Sequence, residues 1–228
     1  MITLVGVGHV FDIQAAVRTE ILRRSPDLVC LELDPMRFQM LRDREATRGG
    51  PFPYRLLAHI QRRIASEYDA DVGDEMLIAA ETAEELGIQL ALIDADARET
   101  YQKLVREMTF PEKVRFLFGI IAGLAITKKR VDKELRRFEE NEAVYMDQFS
   151  QQFPTLKRVL IDERNQRMAK ALRDLVERFP NIVAVLGDGH IQEVSSLLPG
   201  LDVEVVRLRD LRDPQRKASF SFSVEHRD

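Results

Sequence analysis

Two short apolar runs at opposite ends of the chain finish in the same way. "ITLVGVGH" closes on Gly6-Val7-Gly8-His9, and "NIVAVLGDGH" closes on Gly187-Asp188-Gly189-His190. Runs of this length, rich in Val, Ile and Leu without polar alternation, are the pattern of strands buried on both faces of a parallel sheet. The chain holds only four histidines, and two of them occupy these matching places. The repeat therefore demands a sheet that brings both ends of the sequence together.

The segments between the runs supply the rest of an α/β domain. "DIQAAVRTEILRRS" places Ile13, Val17 and Ile21 on one helical face, with Asp12 as candidate cap and Ser25-Pro26 as the stop. "DLVCLELD" follows as a second strand, so the two join as a β-α-β unit. In "RGGPFP", Gly49, Gly50, Pro51 and Pro53 forbid a regular element. A helix pair around "RLLAHIQRRIA" and "DEMLIAAETAEELG" leads to a third strand, "IQLALIDAD". From about Thr109 to Phe179 there is no strand signal, which predicts a helical insertion or cap. The stripe Val131, Leu135, Phe138, Tyr145 and Phe149 gives it one apolar face. The helix "ERNQRMAKALRDLVERF", the strand "IVAVLG", a short helix over "IQEVSSLL" and the strand "VEVVRL" complete the order, and Phe220, Phe222 and Val224 alternate as in an edge strand. The fold class expected is a single α/β domain over residues 1–228, a mostly parallel central sheet flanked by helices.

Composition narrows the function classes. With 228 residues, 45% apolar and 32% charged, the chain is an ordinary globular one. A net charge of -4 offers no electrostatic case for nucleic acid. Cys30, the one cysteine, lies in an apolar run and cannot close an internal disulfide, which suits a reducing cytoplasm. The start lacks the pattern of a signal peptide. "FLFGIIAGLAI" falls short of the roughly 20 residues that span a bilayer, so no membrane segment is expected in this chain. Its Gly119 and Gly123 allow close helix contact, and its surplus of apolar surface predicts a homodimer.

In open α/β sheets, sites form at the carboxyl ends of the strands. His9, the pair Glu32 and Asp34, the pair Asp94 and Asp96, and His190 all stand there. Two imidazoles and one carboxylate, His9, Glu32 and His190, are a first shell suited to a divalent transition metal such as Mn, Co or Zn. The alternative is that each histidine bonds a backbone carbonyl at its turn. His59 and His226, on a helix and in the polar tail, have only that structural reading. "GVGHVFD" has Phe11 where a dinucleotide fingerprint needs its third glycine. Glu163 and Arg164 open a helix, where Glu matches the helix dipole and Arg ordinarily faces solvent.

The order "GVGH", "LELDPMR", "DER", "GDGH" resembles the TraB/PrgY family, relatives of Tiki and of the wider erythromycin-esterase and ChaN-like superfamily. The resemblance covers nearly the whole chain, including "VGDEMLIAAETAEELGIQLALIDADARETYQKL" and "ERNQRMAKAL". It implies a metal-dependent hydrolase, peptidase-like in the Tiki branch, with the motif histidines on His9 and His190, the acidic residue on Glu32 and the catalytic Glu-Arg pair on Glu163 and Arg164. Arg164 would stabilise an oxyanion, and Glu163 would orient Arg164 or carry a proton. A non-catalytic peptide-binding module of the pheromone-inhibition kind is the alternative. The chain departs from the family pattern at Val7 and Gly8, where Thr-Ala is common, and at Ala95, where an Arg is expected.

Overall fold

The computed structural model describes residues 1–8, 13–43, 73–123 and 142–212. Five parallel strands form one sheet: β1 (Ile2–Val7), β2 (Leu28–Leu31), β3 (Gln89–Leu92), β4 (Ile182–Gly187) and β5 (Val203–Val206), in the order β3-β2-β4-β1-β5. All five stand where the sequence places strands. β1 and β4, which carry the two matching motifs, are neighbours, with Val7 opposite Gly187. β1 and β2 are buried along their whole length and β4 nearly so, while the edge strands β3 and β5 are partly exposed.

Successive residues of a strand point to opposite faces, and the core divides accordingly. On one face Val5, Val29, Leu31, Val183 and Val185 pack against α1 (Gln14–Arg24), pinned by Val17 and Ile21, and α3 (Asp74–Glu85), pinned by Met76, Ala79 and Ala83. A short α2 (Pro35–Arg42) follows β2, capped by the Asp34 side chain on the Arg37 amide. On the other face Leu4, Cys30, Ile182, Ala184 and Leu186 pack against α8 (Glu163–Val176) and α9 (Asp188–Ser196) through Met168, Leu172, Ile191 and Val194. The chain runs outward from β1 to β3 with its helices on one face and returns through β4 to β5 with its helices on the other, as crossovers of a single hand require. β2 and β4 are thus adjacent strands whose outgoing connections diverge, the place where such sheets open a crevice.

Between β3 and β4 the predicted helical layer is present: α4 (Ala97–Glu107), α5 (Phe110–Gly123), α6 (Glu142–Gln152), α7 (Pro154–Lys157), then one π-helical turn (Arg158–Asp162) that runs directly into α8. Leu104, Met108, Leu156 and Val159 hold this layer together, with Phe116, Phe149 and Phe153 against them. α10 (Leu208–Arg212) closes the described chain. Two expectations are corrected. The N-cap residue of α1 is Ile13, with no side-chain cap, one position beyond the candidate Asp12. The helix after β4 begins at Asp188, three residues before the expected "IQEVSSLL", so His190 sits in its first turn. His9, Asp12, His59 and His226, the helix "RLLAHIQRRIA", the loop "RGGPFP", the stripe residues Val131, Leu135 and Phe138, and the tail after Pro214 lie outside the described residues.

Candidate functional site

The glycines of the two motifs serve different neighbours. A Cβ on Gly6 would stand 2.2 Å from Asp188 Oδ1. That aspartate, from the other motif, is held by Arg207 Nε at 2.9 Å and Nη2 at 2.8 Å and by the Leu208 amide at 2.8 Å, so it ties the end of β4 to the end of β5 against the bare backbone of β1. Gly187 instead brings its backbone against Glu32: its N–H donates to Glu32 Oε2 at 2.6 Å, and an added Cβ would meet that oxygen at 3.3 Å. Bare backbone lets a carboxylate approach this closely.

Glu32 follows β2 directly, and its amide continues the pairing with Val185 of β4. Its carboxylate is only 6% exposed. Oε1 accepts from Arg164 Nη2 at 2.5 Å and lies 3.3 Å from His190 Nε2. Burial alone would raise the pKa of this carboxyl. The His190 hydrogen bond and charge, the Arg164 guanidinium and the Gly187 N–H more than offset it, holding Glu32 well below the usual carboxylate range.

Arg164 is the hub. Its Nε donates to Asp94 Oδ1 at 2.9 Å and Nη2 to Asp94 Oδ2 at 2.6 Å, while Nη1 donates to the Leu160 carbonyl at 3.1 Å and faces His190 Nε2 at 3.4 Å. With the Glu32 bond, every N–H of the guanidinium has a partner. Burial pulls the Arg164 pKa down, but Asp94 and Glu32 more than restore it, so the side chain stays charged. Asp94, fully buried after β3, also accepts from Arg37 Nη2 and from the Ala95 amide at 2.7 Å. Arg37 in turn bonds Asp34 at 2.6 Å.

His190 Nδ1 lies 2.6 Å from Asn165 Oδ1, and the Asn165 amide donates from Nδ2 to Glu193 at 3.0 Å. That second bond fixes which end of the amide faces the ring, so Nδ1 carries the hydrogen and Nε2 points at Glu32. Glu32 Oε1 and His190 Nε2, 3.3 Å apart, are bridged by the Arg164 guanidinium, whose Nη2 donates to the carboxylate and whose Nη1 faces the ring nitrogen at 3.4 Å. Around them Asp34 and Asp94 are held by Arg37 and Arg164, and Arg167 Nε donates to the Asp94 carbonyl at 3.0 Å.

The structure therefore brings Glu32, His190 and Arg164 together, and places the end of β1, two residues short of His9, beside β4. It does not put Glu163 in that cluster. Glu163 turns away to Lys103 at 2.7 Å and Arg158 at 2.8 Å, lining a cavity of about 320 Å³ on the far side of Arg164. Asp94, not Glu163, orients Arg164. Sequence reasoning places Asp94 among the polar strand ends but misses its bond to Arg164, and it misses Arg37 and Asn165 altogether; for Asn165 the only signal is its place next to the Glu-Arg pair. Asp96 is used as the N-cap of α4, on the Glu99 amide. The Cys30 thiol is pushed up to about 12 by burial, as a core residue and not a nucleophile.

The family model for TraB/PrgY/gumN proteins matches residues 1–202. An uncharacterized protein of Methanocaldococcus jannaschii is 29% identical over 236 aligned positions, which cover 96% of this chain and 59% of that protein. The chain thus spans about three-fifths of the length of that relative. With a match over most of its length, and with the motif glycines, Glu32, Arg164 and His190 gathered at the carboxyl ends of one parallel sheet, the chain belongs to the TraB/PrgY/gumN family.

Proposed function

We propose that this protein is a metal-dependent hydrolase acting on peptides, with His9, Glu32 and His190 as the metal ligands. The observation that supports the reading is the Glu32–His190 pair, a carboxylate oxygen and an imidazole nitrogen 3.3 Å apart at the carboxyl ends of neighbouring strands. The described donors fit a cation of the Mn, Co or Zn kind: one carboxylate oxygen and one imidazole nitrogen, the latter backed by an amide in the way that ligand histidines are oriented. When bound, such an ion supplies Lewis-acid polarisation and an acidified water. The protein's own part is positional. Gly187 and Arg164 aim the Glu32 carboxylate, Asn165 aims His190, and Asp94 with Arg37 holds Arg164. The Nη1 group of Arg164, whose bond to His190 is the longest of its set, is the donor that can turn toward a developing oxyanion. Glu163, outside the cluster and paired with Lys103 and Arg158, would hold substrate or carry a proton from the cavity side.

Calorimetric titration with Mn, Co and Zn tests the ligand set. Wild type binds one ion, and His9→Ala and His190→Ala abolish it. Asn165→Ala weakens it about 10- to 100-fold, the usual effect of losing the group behind a ligand histidine. Equal binding by His9→Ala ends the proposal. The non-catalytic peptide-binding reading is favoured by one observation, that both Glu32 oxygens are already engaged; peptides that bind without turnover under any metal decide for it.

Two further elements belong to the same reading. A homodimer is proposed through α5, where Phe110 is 78% and Phe118 68% exposed and a Cβ on Gly119 would touch nothing. A reducing cytoplasm is proposed as its compartment, on the single buried thiol. Among the described residues no helix is long and apolar enough to cross a membrane.

A further inference from the structure

The cavity beyond Arg164 lies between α4 and α8, and each helix lines it with a pair of charges four residues apart: Glu99 and Lys103 on α4, Glu163 and Arg167 on α8. Residues at that spacing share one helical face. Lys103 and Glu163 join across the gap at 2.7 Å. The other two do not. Among the described residues Glu99's carboxylate has no partner, and Arg167 uses only Nε, on the Asp94 carbonyl at 3.0 Å, leaving its Nη edge unengaged. Opposite charges that line one cavity and stay beyond ion-pair distance are an invitation to a ligand carrying the complementary pair.

We propose that this cavity binds a dipeptide-sized zwitterion, its carboxylate on the Arg167 fork and its ammonium on Glu99. A guanidinium edge matches a carboxylate in two parallel bonds. About 320 Å³ is at the small end of ligand sites, enough for a dipeptide and not for a long chain. The charges of a dipeptide stand at its two ends, farther apart than those of a free amino acid, and among the described residues Glu99 and Arg167 line the cavity without pairing with each other. Arg164 forms the wall shared with the Glu32–His190 cluster, so a ligand here lies one guanidinium away from the proposed metal. That this ligand is the substrate, or a product on its way out, rests on the hydrolase reading; that it binds does not.

The test is titration of the full chain, by calorimetry or amide chemical shift, with L-alanyl-L-alanine, its N-acetyl form, its C-terminal amide, and free alanine. Binding by the dipeptide is expected to weaken about fivefold when either end is blocked, the size of one solvent-exposed ion pair. Arg167→Gln should weaken the dipeptide to the same degree and remove the difference between dipeptide and amide. Glu99→Gln should do the same for the acetylated form. Both side chains are exposed, so both variants should keep the wild-type melting temperature. No saturable binding, equal binding of the blocked forms, or free alanine binding as tightly as the dipeptide overturns the proposal. If the dipeptide binds with this charge dependence and is never hydrolysed, the pocket stands and the hydrolase reading falls. If peptides are cleaved and neither variant changes KM, the pocket falls and the hydrolase stands.

Discussion

At the scale of residues, Gly6 and Glu32 show how little freedom the strand ends have. A methyl group on Gly6 would collide with an aspartate that Arg207 and the Leu208 amide hold in place, so it cannot simply swing aside. Gly6→Ala should therefore cost about 1–3 kcal/mol, as overpacking does, read as a lower denaturant midpoint at unchanged slope. Wild-type stability in that variant would mean Asp188 is not anchored. Glu32 makes a pH prediction. Its pKa in the folded chain lies below the ordinary glutamate value of 4.5. The unfolded state therefore binds its proton first, so the stabilisation is fully present above about pH 4.5 and is lost as pH falls toward the folded value. Glu32→Gln should destabilise the protein at neutral pH, by about 3–5 kcal/mol for breaking a buried pair. It should also flatten the acid limb of the stability curve. An acid limb identical in wild type and variant would show that other carboxylates drive the acid transition.

At the scale of elements, the helical layer is fastened by one buried carboxylate. Glu112, in the first turn of α5, accepts from the Thr109 amide at 3.0 Å and hydroxyl at 2.9 Å, closing a capping box, and from the Thr155 amide at 2.8 Å and hydroxyl at 2.9 Å, reaching across to α7. Burial raises its pKa, but these four donors lower it further. A glutamine keeps the shape and turns one acceptor into a donor facing N–H groups. Glu112→Gln should cost about 1–3 kcal/mol, the penalty of unsatisfied buried donors. Hydrogen exchange should accelerate at Thr109 and Thr155 while the sheet amides stay protected. Unchanged exchange at Thr155 would mean that Glu112 does not fasten α5 to α7. The π turn before α8 belongs to the same scale: one extra residue in a helix rotates every later side chain about the axis, and Arg164 is in the first turn beyond it.

At the scale of the whole molecule, the sheet and its two layers leave α5 largely outside. Val114 and Leu117 are exposed alongside Phe110 and Phe118, an apolar surface that a folded chain seldom leaves in water. Because Gly119 has open space around it, Gly119→Leu is accommodated within one chain. For a dimer that meets through this helix, light scattering should show the wild type at twice the chain mass and the variant at one, with the same melting temperature extrapolated to low concentration. A wild type that scatters as a monomer at high micromolar concentration removes the dimer.

The sequence alone indicated β1, β2 and β4, because short Val-, Ile- and Leu-rich runs between turn signals are the pattern of strands buried on both faces, and it indicated that polar groups would stand at their carboxyl ends. It also marked Glu32 and His190 by their places at strand ends, and Arg164 only through the family resemblance. What it could not contain was the pairing of strands: β1 and β4 are neighbours across 180 residues of chain because burying both on two faces favours the centre of the sheet, a condition on the whole and not on either run. Nor could it divide like residues by task. Asp94 and Asp96 are separated by one alanine, yet one is buried between two arginines and the other caps a helix. Glu163 and Arg164 are adjacent, and successive helical residues point about 100° apart, so they face different spaces. Such distinctions depend on where a side chain points after distant elements have packed, and only the tertiary structure decides that.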